Sequence, residues 1–224
     1  MTSLKDEIKR TEVWATIILA LGTTLTAWTA FQSAKWSGLQ AIAFADAASL
    51  RTQSAQQETR AGQLAVIDVL LFVDWLGAMV DENPHVLATE NVPYRPNAEQ
   101  ESGFLYARFR EEFKPAIDAW LRSRPLKNPN AAPTPFALPE YHLEKRDEAQ
   151  ELRARSESRL NDAHANNQTS DNYVLTTVLL AISLFFAGIA PKLLSRHVRS
   201  WMLSISVALL SASIWRLLSL PVVM

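Results

Sequence analysis

Residues 64–80 read LAVIDVLLFVDWLGAMV, and the number of membrane spans in the chain turns on this run. It is apolar enough to invite insertion, yet Asp68 and Asp74 interrupt it. On an insertion scale two central aspartates cost roughly 5–7 kcal/mol together, while the large aliphatic and Phe side chains return only about 3–6 kcal/mol. The run is therefore expected to stay out of the bilayer. Its apolar side chains cannot stand in water either, so 64–80 is expected to pack beneath a helix over about 98–124 and the segment bearing Phe136, Leu138 and Tyr141. Failing that, it would form an interface between copies.

Outward from this run, three others remain. Val13–Ala34 is about 33 Å long as a helix, enough to cross a hydrocarbon core, with Trp14 and Trp36 near the two interfaces. Residues 173–190 (YVLTTVLLAISLFFAGIA) carry no charge, and 173–224 contain no Asp or Glu. The last run, 201–220, is broken late by Arg216, with Pro221 just beyond it. Three spans place both short basic segments, 1–12 and 191–200, on one side, which the positive-inside rule makes cytoplasmic. A fourth span at 64–80 would put Lys192, Arg196 and Arg199 outside. The expected topology is thus a cytoplasmic N-terminus, spans at 13–34, 173–190 and 201–220, and residues 35–172 outside the cytoplasm. Lys5, Lys9 and Arg10 also resemble the basic start of a secretory signal. The apolar run is longer than a signal's core and no small-x-small cleavage site follows, so an uncleaved anchor is expected.

Residues 36–172 hold 20 Asp or Glu against 14 Lys or Arg, a net charge of −6 hidden by the chain's total of −1. An acidic segment without a basic stripe speaks against nucleic-acid binding. With no Cys, disulfides, thiolate ligands and a Cys nucleophile are excluded. Asn83-Pro84, Pro93 and Pro96, then Pro125, Pro129, Pro133, Pro135 and Pro139, punctuate the segment into helices over about 36–82, 98–124 and 140–172. The spacing Trp36, Leu39, Ala43, Ala47, Leu50, Ser54, Gln57, Ala61, Leu64, Ile67, Leu71 predicts a buried stripe on a helix continuing span one, with a bend at Gly62 or within 64–80. The third helix runs into span two until Pro191. The fold class expected is all-α, built on two long antiparallel helices.

The stretches AWTAFQSAKWSGLQA (27–41), FKPAIDAWL (113–121), NPNAAPTPFALPEY (128–141) and ANNQTSDNYVLTTVLLAISLFFAGI (165–189) resemble a family of small uncharacterised bacterial integral membrane proteins. The resemblance covers most of 13–190. It implies a bacterial inner-membrane location and a helical fold, and brings no catalytic residues with it.

Chemistry-bearing residues concentrate where span one ends and span two begins. Gln32, Ser33, Lys35, Ser37 and Gln40 leave the first; Asn166, Asn167, Gln168, Asp171 and Asn172 enter the second. Antiparallel packing brings them to one depth, as a polar collar at the mouth of a pore or lipid-facing cavity with Lys35 and Asp171 as a candidate ion pair, or as plain interhelical hydrogen bonding. Arg216 lies inside an apolar run, as an intramembrane functional charge or as a side chain snorkelling outward. Asp68 and Asp74 point about 120° apart on a helix, which reads more simply as a solvated edge than as a paired-carboxylate site. The histidines, 85, 142, 164 and 197, never take the spacing of a helical zinc pair, leaving Asp81, Glu82 and His85 as a weak metal candidate. P-loop, GxGxxG and GxSxG motifs are absent.

These readings predict no catalytic, cofactor or resident metal site. They predict a non-enzymatic membrane protein, with the lipid bilayer and further copies of itself as partners, whose homo-oligomer forms a channel, pore or similar assembly. The motive is the small and hydroxyl surface of span one (Ala20, Thr23, Thr24, Ala27, Thr29, Ala30) and span three (Ser204, Ala208, Ser211, Ala212). The alternative is an extracytoplasmic helical sensor or scaffold acting through a partner membrane protein.

Overall fold

The computed structural model describes residues 2–82, 94–125 and 127–224. All regular structure among them is helical. Helix α1 spans Thr2–Glu82, α2 Glu101–Tyr106, α3 Lys114–Arg122, α4 Glu144–Ile189 and α5 Arg196–Ser219, with short 3-10 turns at Pro135–Ala137 and Ala190–Lys192. Three of the helices, α1, α4 and α5, are long and apolar enough to cross a membrane. The chain divides into two compact units, 1–48 with 156–224, and 49–155.

In the first unit the N-terminal part of α1, the C-terminal part of α4 and α5 form a three-helix bundle. Its apolar centre is Ile18, Leu180, Ala187 and Leu210. Small residues sit where backbones approach: Ala43, Ala47 and Ala163 are buried, and a side chain at Gly22 would run into Leu184. Hydroxyls stitch the helices. Ser183 and Ser206 each donate to the other's carbonyl at 2.8 Å, and Ser156 donates to the carbonyl of Ala47 at 2.8 Å. The threonines of span one mostly return their protons one turn back, as Thr16 does to Glu12 and Thr26 to Gly22. That satisfies them without a partner helix.

The second unit is built as 64–80 requires. Phe72, Trp75 and Met79 are buried against Phe109, Phe113, Ala116, Ile117 and Trp120, with Phe136, Leu138 and Tyr141 packed at the edge. The aromatic contacts are mostly edge-to-face, such as Phe72 with Trp120 at 5.4 Å, the geometry ring quadrupoles prefer. Indole and phenol protons find acceptors: Trp120 donates to the Ala132 carbonyl at 2.9 Å and Tyr106 to Asp118 at 2.9 Å.

Two expectations need correction. The helix expected over 98–124 is two short helices, α2 and α3, because Pro115 sits in the first turn of α3. Proline there has no N–H for a preceding turn and its ring clashes with the carbonyl four residues back, so a continuous helix cannot pass through it. Helix α1 runs uninterrupted through Gly62 to Glu82. The third helix starts at Glu144 rather than 140, following Pro139.

Candidate functional site

The polar residues at the junction of spans one and two do meet, and the segment after α5 meets them too. Gln32 is fully buried and uses both ends of its amide on one residue: Nε2 donates to the Val223 carbonyl at 3.0 Å, and Oε1 accepts the Val223 N–H at 3.1 Å. Tyr173 donates to the Pro221 carbonyl at 2.9 Å, and Trp36 Nε1 donates to the same oxygen at 3.2 Å. The extended residues beyond Ser219 thus lie across α1 and α4 and supply backbone groups that no helix can. Beneath them Ser170 donates to the Ser33 carbonyl at 3.0 Å, and Thr177 to Thr29 Oγ1 at 2.8 Å.

Arg216 joins this cluster. Its Nη2 donates to Asn172 Oδ1 at 2.8 Å, and its Nε is buried with no partner. The guanidinium is therefore engaged with α4. One buried donor is left without an acceptor, which costs on the order of 1–3 kcal/mol in an apolar setting.

The remaining collar residues separate. Lys35 is exposed and lies over the Phe31 ring at 5.9 Å; Asp171 accepts from Asn167 Nδ2 at 3.1 Å. Among the described residues no ion pair joins Lys35 to Asp171, because each has a nearer partner on its own helix. Gln40 and Asn166 are half-buried, and Ser37 and Gln168 are exposed. The signal that would have completed the cluster is Pro221, which ends α5 and frees the following carbonyls and N–H groups to turn inward.

The second unit holds a buried ion pair, which corrects the reading of Asp68 as a solvated edge. Asp68 is 1% exposed and accepts Arg110 Nε at 3.0 Å and Nη2 at 2.6 Å, with Tyr141 donating to Oδ2 at 3.1 Å. Arg110 Nη1 also donates to Glu112 at 2.7 Å. Hydrogen bonding to Asp68 raises the Arg110 pKa beyond its ordinary value despite burial, while burial and the Asp68 charge push the Tyr141 phenol up to about 12. Burial opposes ionisation of Glu112, but Arg110 and the Glu144 N–H outweigh it and hold that carboxyl below its usual range. Asp74 is exposed. A second relay runs from Trp75 Nε1 to Tyr94, from Tyr94 to Ser102, and from Ser102 to Glu82, which also accepts the Ser102 N–H at 3.0 Å. The two bonds from Ser102 lower the Glu82 pKa.

Glu82 is thus occupied by Ser102, and His85, the third member of the metal candidate, lies outside the described residues. Among the described residues no group of three His, Asp or Glu could hold a metal ion. Asp68, Arg110, Glu112 and Tyr141 are spent on one another and Glu82 on Ser102, an arrangement suited to holding helices in register. Compared with known families, curated proteins and solved structures, the chain has no match.

Proposed function

We propose that the protein is a non-enzymatic, multi-pass inner-membrane protein that assembles with further copies of itself, its N-terminus cytoplasmic and residues 35–172 outside. The observation that carries this reading is the surface of α1 within the first unit. Ala20, Ala27 and Ala34 are exposed on its apolar run while the opposite face, with Ala15, Ile18, Thr29 and Gln32, is buried in the bundle. Small residues facing lipid offer little to acyl chains and much to another helix backbone. On α5, Ser204, Ala208, Ser211 and Ala212 are exposed as well.

The collar favours assembly over conduction through a single chain. Gln32, Tyr173 and Asn172 spend their hydrogen bonds inside the bundle, and its centre is filled by Ile18, Leu180 and Leu210. Any pore would lie between copies. The test is the mass of the particle in lipid nanodiscs together with conductance in planar bilayers. A multimer without conductance makes it a scaffold, a multimer with conductance a channel, and a monomer overturns the reading. Topology is tested separately by an export-dependent reporter, expected active at Pro129 and silent between Ser195 and Ser200.

A further inference from the structure

The enclosed guanidiniums described so far have partners: Arg110 grips Asp68, and Arg216 donates to Asn172. Arg199, near the start of α5, is 6% exposed. Its backbone N–H donates to the Ser195 carbonyl at 3.0 Å, yet among the described residues its guanidinium has neither an acceptor nor an ion pair. Enclosed cations are normally paired, because an unpaired charge in an apolar setting is costly. The group is not sealed off, since the only enclosed side-chain nitrogen without a partner among the described residues is Arg216 Nε. It therefore keeps an opening to the surface at this end of the bundle.

Two cavities open on the same turns of α5. One, of about 340 Å³, is lined by His197, Ser200, Trp201 and Ser204. The other, of about 430 Å³, shares Ser200 and Ser204 and runs between α1 and α5 along Trp14, Ile18, Leu203 and Val207. Arg199 adjoins Ser200 in sequence and sits one turn before Leu203 on the same strip of the helix. Thr16, Thr26 and Ser213 return their hydroxyls to a carbonyl one turn back. Ser200 and Ser204, by contrast, have no hydroxyl bond to the protein among the described residues. The surroundings are positive: 191–200 holds Lys192, Arg196, His197 and Arg199, and 173–224 has no Asp or Glu. On the facing part of α1, Glu12 is exposed and makes no ion pair with Arg199. Trp14 and Trp201 are 55% and 70% exposed, as suits indoles at a membrane–water boundary.

We infer that the start of α5 binds one anionic glycerophospholipid of the cytoplasmic leaflet, its phosphate held by Arg199 with Ser200 and Ser204, and an acyl chain lying in the groove between α1 and α5. This rests on the membrane placement proposed above. It does not rest on self-association, since the small-residue face of α1 at Ala20, Ala27 and Ala34 lines neither cavity. A phosphodiester supplies what the cluster lacks, a negative charge whose oxygens match the guanidinium fork and accept from hydroxyls. Basic pockets between membrane helices on the cytoplasmic side take anionic headgroups. The groove favours a phosphate carried by a lipid over a free one, because Ile18, Leu203 and Val207 give a hydrocarbon chain dispersion contacts and give an inorganic ion nothing.

The test offers the full-length protein, in an uncharged detergent, an equimolar mixture of phosphatidylglycerol and phosphatidylcholine, and counts the retained lipids by native mass spectrometry. One phosphatidylglycerol per chain should stay, preferred about tenfold, and Arg199→Gln should bring the preference close to unity. Arg199→Lys should keep part of it, having the charge without the fork. Lys35→Gln, at the opposite membrane boundary, should leave the preference unchanged; an equal loss there would mean diffuse charge attraction and overturn the site. Should Arg199→Gln fail to fold, Ser204→Trp decides. It plugs the groove from an exposed position, keeps Arg199, and should release the lipid while circular dichroism stays that of the parent. Undiminished retention in either folded variant overturns the proposal. Displacement of the lipid by inorganic phosphate would assign the site to a free anion, and a fall in particle mass with Ser204→Trp would assign the groove to a second copy; each overturns it. A chain that stays dispersed without detergent overturns the membrane reading as well, whereas a detergent-bound chain with no lipid preference overturns this site alone.

Discussion

Arg110 grips Asp68 through two parallel hydrogen bonds, Nε to Oδ1 at 3.0 Å and Nη2 to Oδ2 at 2.6 Å. The pair closes the apolar core of the second unit, and removing either member leaves the other's charge stranded. Arg110→Met should destabilise that unit by about 3 kcal/mol, the low end for a broken buried pair because the arginine keeps some solvent contact. Arg110→Lys should recover only part of this, since an ammonium cannot make the fork. Tyr141→Phe should cost about 1 kcal/mol. Thermal melting in detergent checks the order of the three variants, and an Arg110→Met protein as stable as the parent would refute the role.

In the bundle, Ser183 and Ser206 exchange reciprocal hydrogen bonds to each other's carbonyls. A double-mutant cycle of Ser183→Ala and Ser206→Ala should show coupling of about 0.6 kcal/mol, the average for interhelical hydrogen bonds between apolar helices, and at most about 1.7 kcal/mol. Strict additivity would mean that the two contribute independently.

Gln32 is the fastening for the segment that follows α5. Gln32→Leu keeps the volume roughly constant and removes both bonds to Val223. We expect a loss of about 1–2 kcal/mol in stability and faster digestion of residues 220–224 by carboxypeptidase. Gln32→Glu should release the segment at neutral pH, because a carboxylate has no proton for the Val223 carbonyl. Unchanged digestion in both variants would separate Gln32 from the segment.

Acid should weaken the second unit. The pKa values of Glu82 and Glu112 are held below the ordinary 4.5 in the folded state. Their contribution is therefore complete above that value and is lost as pH falls through the folded values. The melting midpoint should drop on acidification below about pH 4.5. Glu82→Gln should lower it at neutral pH and flatten the fall; a slope identical to the parent's would remove Glu82 as a contributor.

Gly103 is fixed by contact. A Cβ there would lie 1.9 Å from the carbonyl oxygen of Asn97, so Gly103→Ala must displace backbone at the start of α2. A cost of about 1–3 kcal/mol follows, whereas Gly62→Ala, inside α1 with nothing within 4 Å, should gain up to about 1 kcal/mol in the same melting experiment.

The sequence disclosed the long helices because charge-free runs and heptad-like stripes are local patterns. It also indicated that 64–80 packs under its neighbours, which holds for Phe72, Trp75 and Met79 and not for Val66, Ile67, Val69, Leu70, Val73 and Val80, which are exposed. The partner of Asp68 was not legible: Arg110 is 42 residues away, and nothing local distinguishes it from the exposed Arg108. Pro115 could have warned that 98–124 is not one helix, but the apolar spacing of Leu105, Phe109, Phe113, Ala116 and Trp120 persists across the break and masks it. For the collar, shared depth was readable and pairing was not. Lys35 and Asp171 each settle on a neighbour one turn away, while Gln32 bonds a residue 191 positions later.

That last separation sets a timetable. Gln32 leaves the ribosome long before Val223 exists, and at about 5–20 residues per second the wait is on the order of 10–40 s. Through most of it the Gln32 amide and the Trp36 indole have no partner from the later segment, and the Tyr173 phenol joins the wait only 48 residues before Pro221. Until residues 221–223 arrive these groups must be shielded or hydrated, and only then does the bundle complete its polar lock. Loss of residues 221–223 would therefore erase the final fastening while sparing every helix.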